Sequence, residues 1–94
     1  MIQVQNQHSK TAIQGRLARI EGQLRGVQKM IDEGRDCQAI VQQLIAIRAA
    51  VQSASLSFVQ DAAKECLLAP EAAPNHHDQH QKLAELVKML GKLT

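Results

Sequence analysis

The stretch CQAIVQQLIAIRAAVQSASLSFVQDAAKEC, residues 37–66, decides the fold. It contains no glycine and no proline, and the run continues in that way to Ala69. A helix of that length places its two end residues, Cys37 and Cys66, about 43 Å apart at about 1.5 Å per residue. A disulfide needs Cα atoms about 4.4–6.8 Å apart, so the two thiols cannot meet within one straight helix. At about 100° per residue, however, the turn between them closes to within about 20° of a common direction. Both cysteines therefore share one face, at opposite ends. Ile40, Val41, Leu44, Val51, Phe58, Val59 and Ala62 share it too, which makes the face an apolar seam. The simplest cover for such a seam is a second copy running antiparallel. A twofold axis near Val51 and Gln52 then brings Cys37 beside Cys66 of the partner subunit, twice per dimer.

Two readings of these thiols stand side by side. They are small hydrophobes filling the seam, as free cysteines commonly are, or they are a reactive pair. Cys37 falls in the first turn of its helix, where unpaired N–H groups and the helix dipole favour a thiolate, and Arg35 lies two residues before it. Cys66 falls at the helix C-terminus beside Glu65. In the second reading Cys37 is the nucleophile and Cys66 the resolving thiol.

Outward from this rod, Ile13, Leu17, Ile20, Leu24, Val27 and Ile31 alternate by four and three, a heptad stripe on a preceding helix. Ser9 is expected to cap its start, after a flexible arm over residues 1–9. Gly34 fits the left-handed position after its end, and Asp36 fits the cap of the central helix. Pro70 and Pro74 mark the next break, and EAAPNHHDQH (71–80) reads as a connection. Asn75 is expected to cap a third, shorter helix with Leu83, Leu86, Val87 and Leu90 on its apolar face and Gly91 near its end. The expected architecture is all-α: one domain over residues 1–94, with three helices and the middle one longest.

The composition agrees. A 94-residue chain buries a modest core, and oligomerisation is a natural way to bury more. Hydrophobic residues make up 45% but aromatic ones 1%, with Phe58 the single ring, which suits aliphatic seams between long helices. No apolar run approaches the ~20 residues of a membrane span, and MIQVQNQHSK lacks the apolar centre of a signal peptide. A cytoplasmic protein is expected, where thiols stay reduced and two cysteines point to chemistry or packing. No paired carboxylates, P-loop or catalytic triad is present, so an enzyme is not expected. His76 and His80 are spaced to hold a metal if helical, although His76, His77 and His80 read more simply as a solvated linker; His8 falls in the arm.

The net charge of +2 is uneven. Residues 1–30 hold Lys10, Arg16, Arg19, Arg25 and Lys29 against Glu21 alone. Opposite the apolar stripe of the first helix lie Gly15, Ala18, Arg19, Gly22, Arg25, Gly26 and Lys29. Each glycine costs about 0.8–1.0 kcal/mol of helix stability relative to alanine, so this face has a reason to be flat. A DNA backbone approaching the arginines is one reason, and another helix packing there is the other. Without aromatic rings to stack on single strands, duplex DNA is the expected nucleic acid. Arg48 lies on the seam-side edge of the central helix, where pairing between chains is its other reading.

RLARIEGQLRGVQKMIDEGRDC (16–37), QQLIAIRAAVQS (42–53) and AKEC (63–66), at these spacings, resemble the CsoR/RcnR family. Its members are all-helical transcriptional repressors that assemble as dimers of dimers and lack a helix-turn-helix. The resemblance implies a homotetramer bound to duplex operator DNA, with Arg16 a DNA contact and Arg19, Arg25, Lys29 and Arg48 further basic candidates. It also implies that copper sensors carry a cysteine at Cys37, a histidine at the position of Ala62 and a cysteine at Cys66. Alanine offers no donor there. The formaldehyde-sensing members use an N-terminal proline where this chain has Ile2. The cysteine pair without the histidine resembles the persulfide-sensing, CstR-like branch. That branch implies persulfidation of Cys37, attack by Cys66 of the partner subunit, and a di- to tetrasulfide bridge that releases the operator, with no cofactor and no membrane. The alternative is a Cu(I)-responsive repressor using the same two thiolates, since soft sulfur ligands select Cu(I).

Overall fold

A computed structural model describes residues 6–68 and 76–93, with side chains for 6–65, 81–89 and 91–92. The chain forms α1 (Gln7–Asp32), α2 (Cys37–Leu68) and α3 (His76–Leu90), followed by a single 3-10 turn, Gly91–Leu93. The expected three-helix order holds, and α2 is the longest at 32 residues.

Asn6, not Ser9, caps α1. Its backbone is extended (φ −65°, ψ 121°) and its side-chain oxygen accepts from the His8 and Ser9 N–H groups at 2.8 and 3.2 Å. Gln7, His8 and Ser9, expected in the arm, therefore belong to the first turn of α1. Several residues of QNQHSK are able to cap, and the one that does also makes a long-range bond. The Asn6 N–H donates to Glu65 Oε1 at 2.7 Å, tying the start of α1 to the last turns of α2. Replacing Asn6 with Ala is expected to cost about 1 kcal/mol. The check is a lower urea midpoint at unchanged slope, with Ser9→Ala close to wild type.

The link to α2 follows the sequence closely. Gly34 has φ +67°, the left-handed conformation that an L side chain resists. The Gly34 N–H donates to the Ile31 carbonyl at 3.1 Å and the Arg35 N–H to the Met30 carbonyl at 2.9 Å, a Schellman closure. Asp36 Oδ2 then accepts from the Ala39 N–H at 3.3 Å, capping α2 as expected. This tight link folds α2 back along α1.

The heptad stripe of α1 divides between two directions. Ile20 and Val27 are buried against Ile47 and Ala54 of α2, with Ile13, Ile40 and Ala50 packed around them. Leu17, Leu24 and Ile31 stay 43%, 45% and 60% exposed along the flank. The seam expected on α2 divides likewise. Val41, Leu44, Val51 and Phe58 are exposed, whereas Ile40 turns into the α1 contact and Ala62 is buried. In α3, Leu83 and Leu86 are half-buried, but Val87, expected on the same apolar face, is 58% exposed. The segment read as a connection ends earlier than residue 80, because His76 already opens α3. Pro70, Pro74, Asn75 and the side chains of Cys66, His76, His77, His80 and Leu90 lie outside the described residues.

The molecule measures 59 × 26 × 15 Å, and a helix with its side chains is about 10–12 Å across. It is little more than one layer thick, so its helices keep uncovered faces. Among the described residues only Ile20, Val27, Ile47, Ala54 and Ala62 are buried. That is a small core for so much apolar surface, and a further layer of protein is what the open faces lack. By length and composition alone, α2 over Cys37–Glu65 is long and apolar enough to cross a bilayer. Its apolar residues are spread among Gln42, Gln43, Arg48 and Gln52 rather than gathered in a run. Arg48 alone would cost about 2.5–3.5 kcal/mol at a bilayer centre, and a protein partner covers such a striped face without that cost.

Candidate functional site

The two broad sides of the α1–α2 pair differ in chemistry. On one side, Cys37 is exposed as the first residue of α2. Cys66 lies in the last turn of the same unbroken helix, so the helical register that places both on one face is retained. Between them on that face stand Val41, Leu44, Arg48, Val51 and Ser55. An apolar groove of about 360 Å³ opens where α1 joins, lined by Ile13, Leu17, Val51, Ala54 and Phe58, with Gln14 and Ser55 at its rim. Exposed Leu17, Leu24 and Ile31 extend the apolar surface onto α1. Ala62, one turn before Cys66, is 4% exposed and presents a methyl group. Among the described residues no three His, Cys, Asp or Glu side chains are grouped to hold a metal ion.

The opposite side is polar and basic. Arg16 Nη1 donates to Ser53 Oγ at 3.1 Å, joining α1 to α2. A groove of about 330 Å³ surrounds this bond, with Arg19 and Gln23 on its walls and Ile20 and Ala50 beneath. A second groove, about 350 Å³, shares Gln23 and continues past Gly26, Lys29, Glu33, Arg35 and Gln43. Arg16 and Arg19 thus share one groove, and Lys29 lines the next.

Arg25 and Arg48 do not join them. Arg25, one turn before Lys29 and half a turn around α1 from Arg16, lines neither groove and pairs with Glu21 at 3.5 Å. Arg48 stands about 140° around α2 from Ser53, within about 20° of the direction of Cys37, on the seam side. Lys29 pairs with Glu33 at 3.8 Å. Both ion pairs are i,i+4 and largely exposed, so they contribute little and release the cations readily. A Cβ added at Gly15, Gly22 or Gly26 would meet no heavy atom within 4 Å. Packing within the protomer therefore does not require these glycines; they keep the outer face of α1 low. Ser53, Gln23 and Gln43 are groove residues that the sequence did not single out, and Arg35, read there only as a neighbour of Cys37, also lines a groove. The Arg16–Ser53 bond spans 37 residues and has no local signature.

Comparison with known proteins assigns the family. Residues 9–92 match the model of the metal-sensitive transcriptional repressors. The chain belongs to this family. Within it, the copper-sensing transcriptional repressor CsoR of Bacillus subtilis is 36% identical over 85 residues, covering 90% of this chain and 81% of that one. The copper-sensing repressor RicR of Mycobacterium tuberculosis is 35% identical over 52 residues, covering 55% and 54%. Among solved structures, a variant of the formaldehyde-responsive regulator FrmR from Salmonella enterica serovar Typhimurium superposes with a TM-score of 0.76 at 25% identity. That superposition covers 92% of this chain and 98% of FrmR. Members of the family are transcriptional repressors and not enzymes, and they act as oligomers on operator DNA. The open apolar side and the basic side of the α1–α2 pair suit those two tasks.

Proposed function

We propose that this repressor senses reactive sulfur, a persulfide or polysulfide, through Cys37 and Cys66 of two antiparallel subunits. The observation that carries the reading is Ala62: a buried methyl where the resemblance places the histidine of copper sensors, between two thiols in helical register. The apolar side of α1 and α2 pairs with its own copy about an axis near Val51 and Gln52. Ile45 and Leu56, exposed about a quarter turn away on α2, are left to join two such dimers into a tetramer. Arg16, Arg19 and Lys29 meet operator phosphates, with Arg25 released from Glu21 as a flanking contact. Arg48 remains at the seam. A repressor works where its DNA is, so the site of action is the cytoplasm.

The chemistry balances without a cofactor. The Cys37 thiolate takes the outer sulfur of a persulfide RSSH, forming Cys37–S–SH and releasing the thiolate RS⁻. The Cys66 thiolate of the partner subunit attacks the Cys37 sulfur, closing a disulfide and expelling HS⁻. If Cys66 has itself been persulfidated, its terminal sulfur attacks instead and closes a trisulfide, again with HS⁻ leaving. One further sulfur transfer to Cys37 before closure gives the tetrasulfide. The bridge fixes the two ends of the seam and favours a tetramer shape that holds the operator less well, a coupling through two states of one assembly.

The test is intact mass under non-reducing conditions after reduced protein meets an organic persulfide. A covalent dimer carrying added sulfur, reversed by reductant, is the expected result. An unchanged monomer mass would sink the sulfur reading. A second reading has a specific support: the relatives at 36% and 35% identity are copper-sensing repressors. Cu(I) held by the same two thiolates is then the inducer, and it survives a negative persulfide result. Competition with a Cu(I) chelator, read against DNA release, decides it.

A further inference from the structure

We propose that Ser53 of α2 is the residue that positions Arg16 for its phosphate contact, which rests on the operator-binding reading above. The Arg16 guanidinium leaves α1 and is held by an oxygen of the other helix, Nη1 to Ser53 Oγ at 3.1 Å. An exposed arginine otherwise samples many rotamers, and freezing such a side chain on binding costs affinity. One of its five N–H donors on Ser53 fixes the plane of the fork before DNA arrives, and four remain for phosphate oxygens. The setting suits this task. Ile20 and Ala50 form an apolar floor beneath the guanidinium, with Ile20 itself in the core, so the base of the groove is firm. Arg19 and Gln23 line the same groove and add donors to the same approaching anion. The ion pairs among the described residues occupy Arg25 and Lys29, not Arg16, so Arg16 is held by a neutral acceptor that leaves its charge uncancelled. A carboxylate at position 53 would hold the guanidinium more tightly and compete with phosphate; a hydroxyl aims it without competing.

Because Ser53 belongs to α2, the aim of Arg16 also follows the register of α2 against α1. The hydroxyl thus links the DNA edge to the helix that carries both thiols.

The experiment is a two-residue cycle of Arg16→Ala, Ser53→Ala and the double variant, with Ser53→Thr beside it. The readout is fluorescence anisotropy on a mixed-sequence duplex at several salt concentrations, since phosphate contacts do not depend on sequence. Ser53→Ala is expected to weaken binding about fivefold, the equivalent of one unfixed side chain. Its salt slope stays at the wild-type value, because the phosphate contact is still made. Ser53→Thr keeps the hydroxyl and binds as wild type. Arg16→Ala weakens binding further and lowers the salt slope by about 1. The double variant binds no more weakly than Arg16→Ala, and circular dichroism of Ser53→Ala matches wild type. Wild-type affinity for Ser53→Ala, losses that add in the double variant, or no rescue by threonine overturns the positioning role. Unchanged affinity and slope for Arg16→Ala removes the operator contact itself, and the positioning role falls with it.

Discussion

Two single-cysteine chains, Cys37→Ala and Cys66→Ala, are each expected to remain uncrosslinked with persulfide alone and to form a covalent dimer when co-assembled. The geometry makes this an all-or-none result. A dimer of Cys66→Ala carries its two Cys37 thiols at opposite ends of an antiparallel seam, about 43 Å apart, beyond the reach of any short sulfur chain. A dimer of Cys37→Ala separates its two Cys66 thiols equally. Only a mixed dimer puts one Cys37 beside one Cys66, at one end. Non-reducing electrophoresis of tagged and untagged chains shows whether the covalent species contains one of each. Self-crosslinking of the Cys66→Ala chain would mean that two copies lie parallel, with like cysteines together, and would overturn the proposed seam. The same mixture separates sensing from packing. Inert thiols give no covalent species in any combination.

Much of the frame behind that result was legible in the sequence because its determinants are local. Gly34 and Asp36 fix the α1–α2 link through bonds that reach at most five residues, and the absence of Gly or Pro sets the length of α2. What the sequence did not reveal depends on contacts far apart along the chain. Asn6, which takes the cap in place of Ser9, also places its N–H on Glu65, 59 residues away. Periodicity marked Leu17, Ile20, Leu24, Val27 and Ile31 as one stripe, yet could not say that Ile20 and Val27 face α2 while the others face outward. A heptad reports that a residue is apolar and in register, not which neighbour covers it. The basic edge was half legible. Charge counting found Arg16, Arg19, Arg25 and Lys29, but the crossing of the two helices decided that Ser53 meets Arg16. The shared register of positions 37 and 66 was legible by arithmetic alone, since α2 runs unbroken through both over its 32 residues.

The largest effect on the assembly is expected from Val51→Glu. Val51 is midway between the cysteines, close to the proposed axis, and 46% exposed in the protomer. In the dimer each Val51 lies against its own copy, so a single substitution acts twice. The lost apolar burial amounts to about 1 kcal/mol per copy, since a full valine is worth roughly 1.5–3 kcal/mol and part of it is already covered. Two carboxylates with no counter-charge add about 1–3 kcal/mol each for lost hydration, before their mutual repulsion. A total near 5 kcal/mol weakens dimerisation by about three to four orders of magnitude. Because five buried residues are the described core of the protomer, separation should also cost structure. Helicity is expected to fall with dilution in the variant at concentrations where wild type keeps it. Ala18→Glu, which adds the same charge on the exposed outer side of α1, leaves assembly intact. The decisive arm mixes Val51→Glu with Val51→Lys: each fails alone, and together they recover a heterodimer, because a residue at a twofold axis meets the same position in its partner. Wild-type assembly of either variant alone would place the axis elsewhere on α2. The pairing of Cys37 with Cys66 of the partner subunit would then lose its geometric basis, because only an axis midway between them brings those two thiols together.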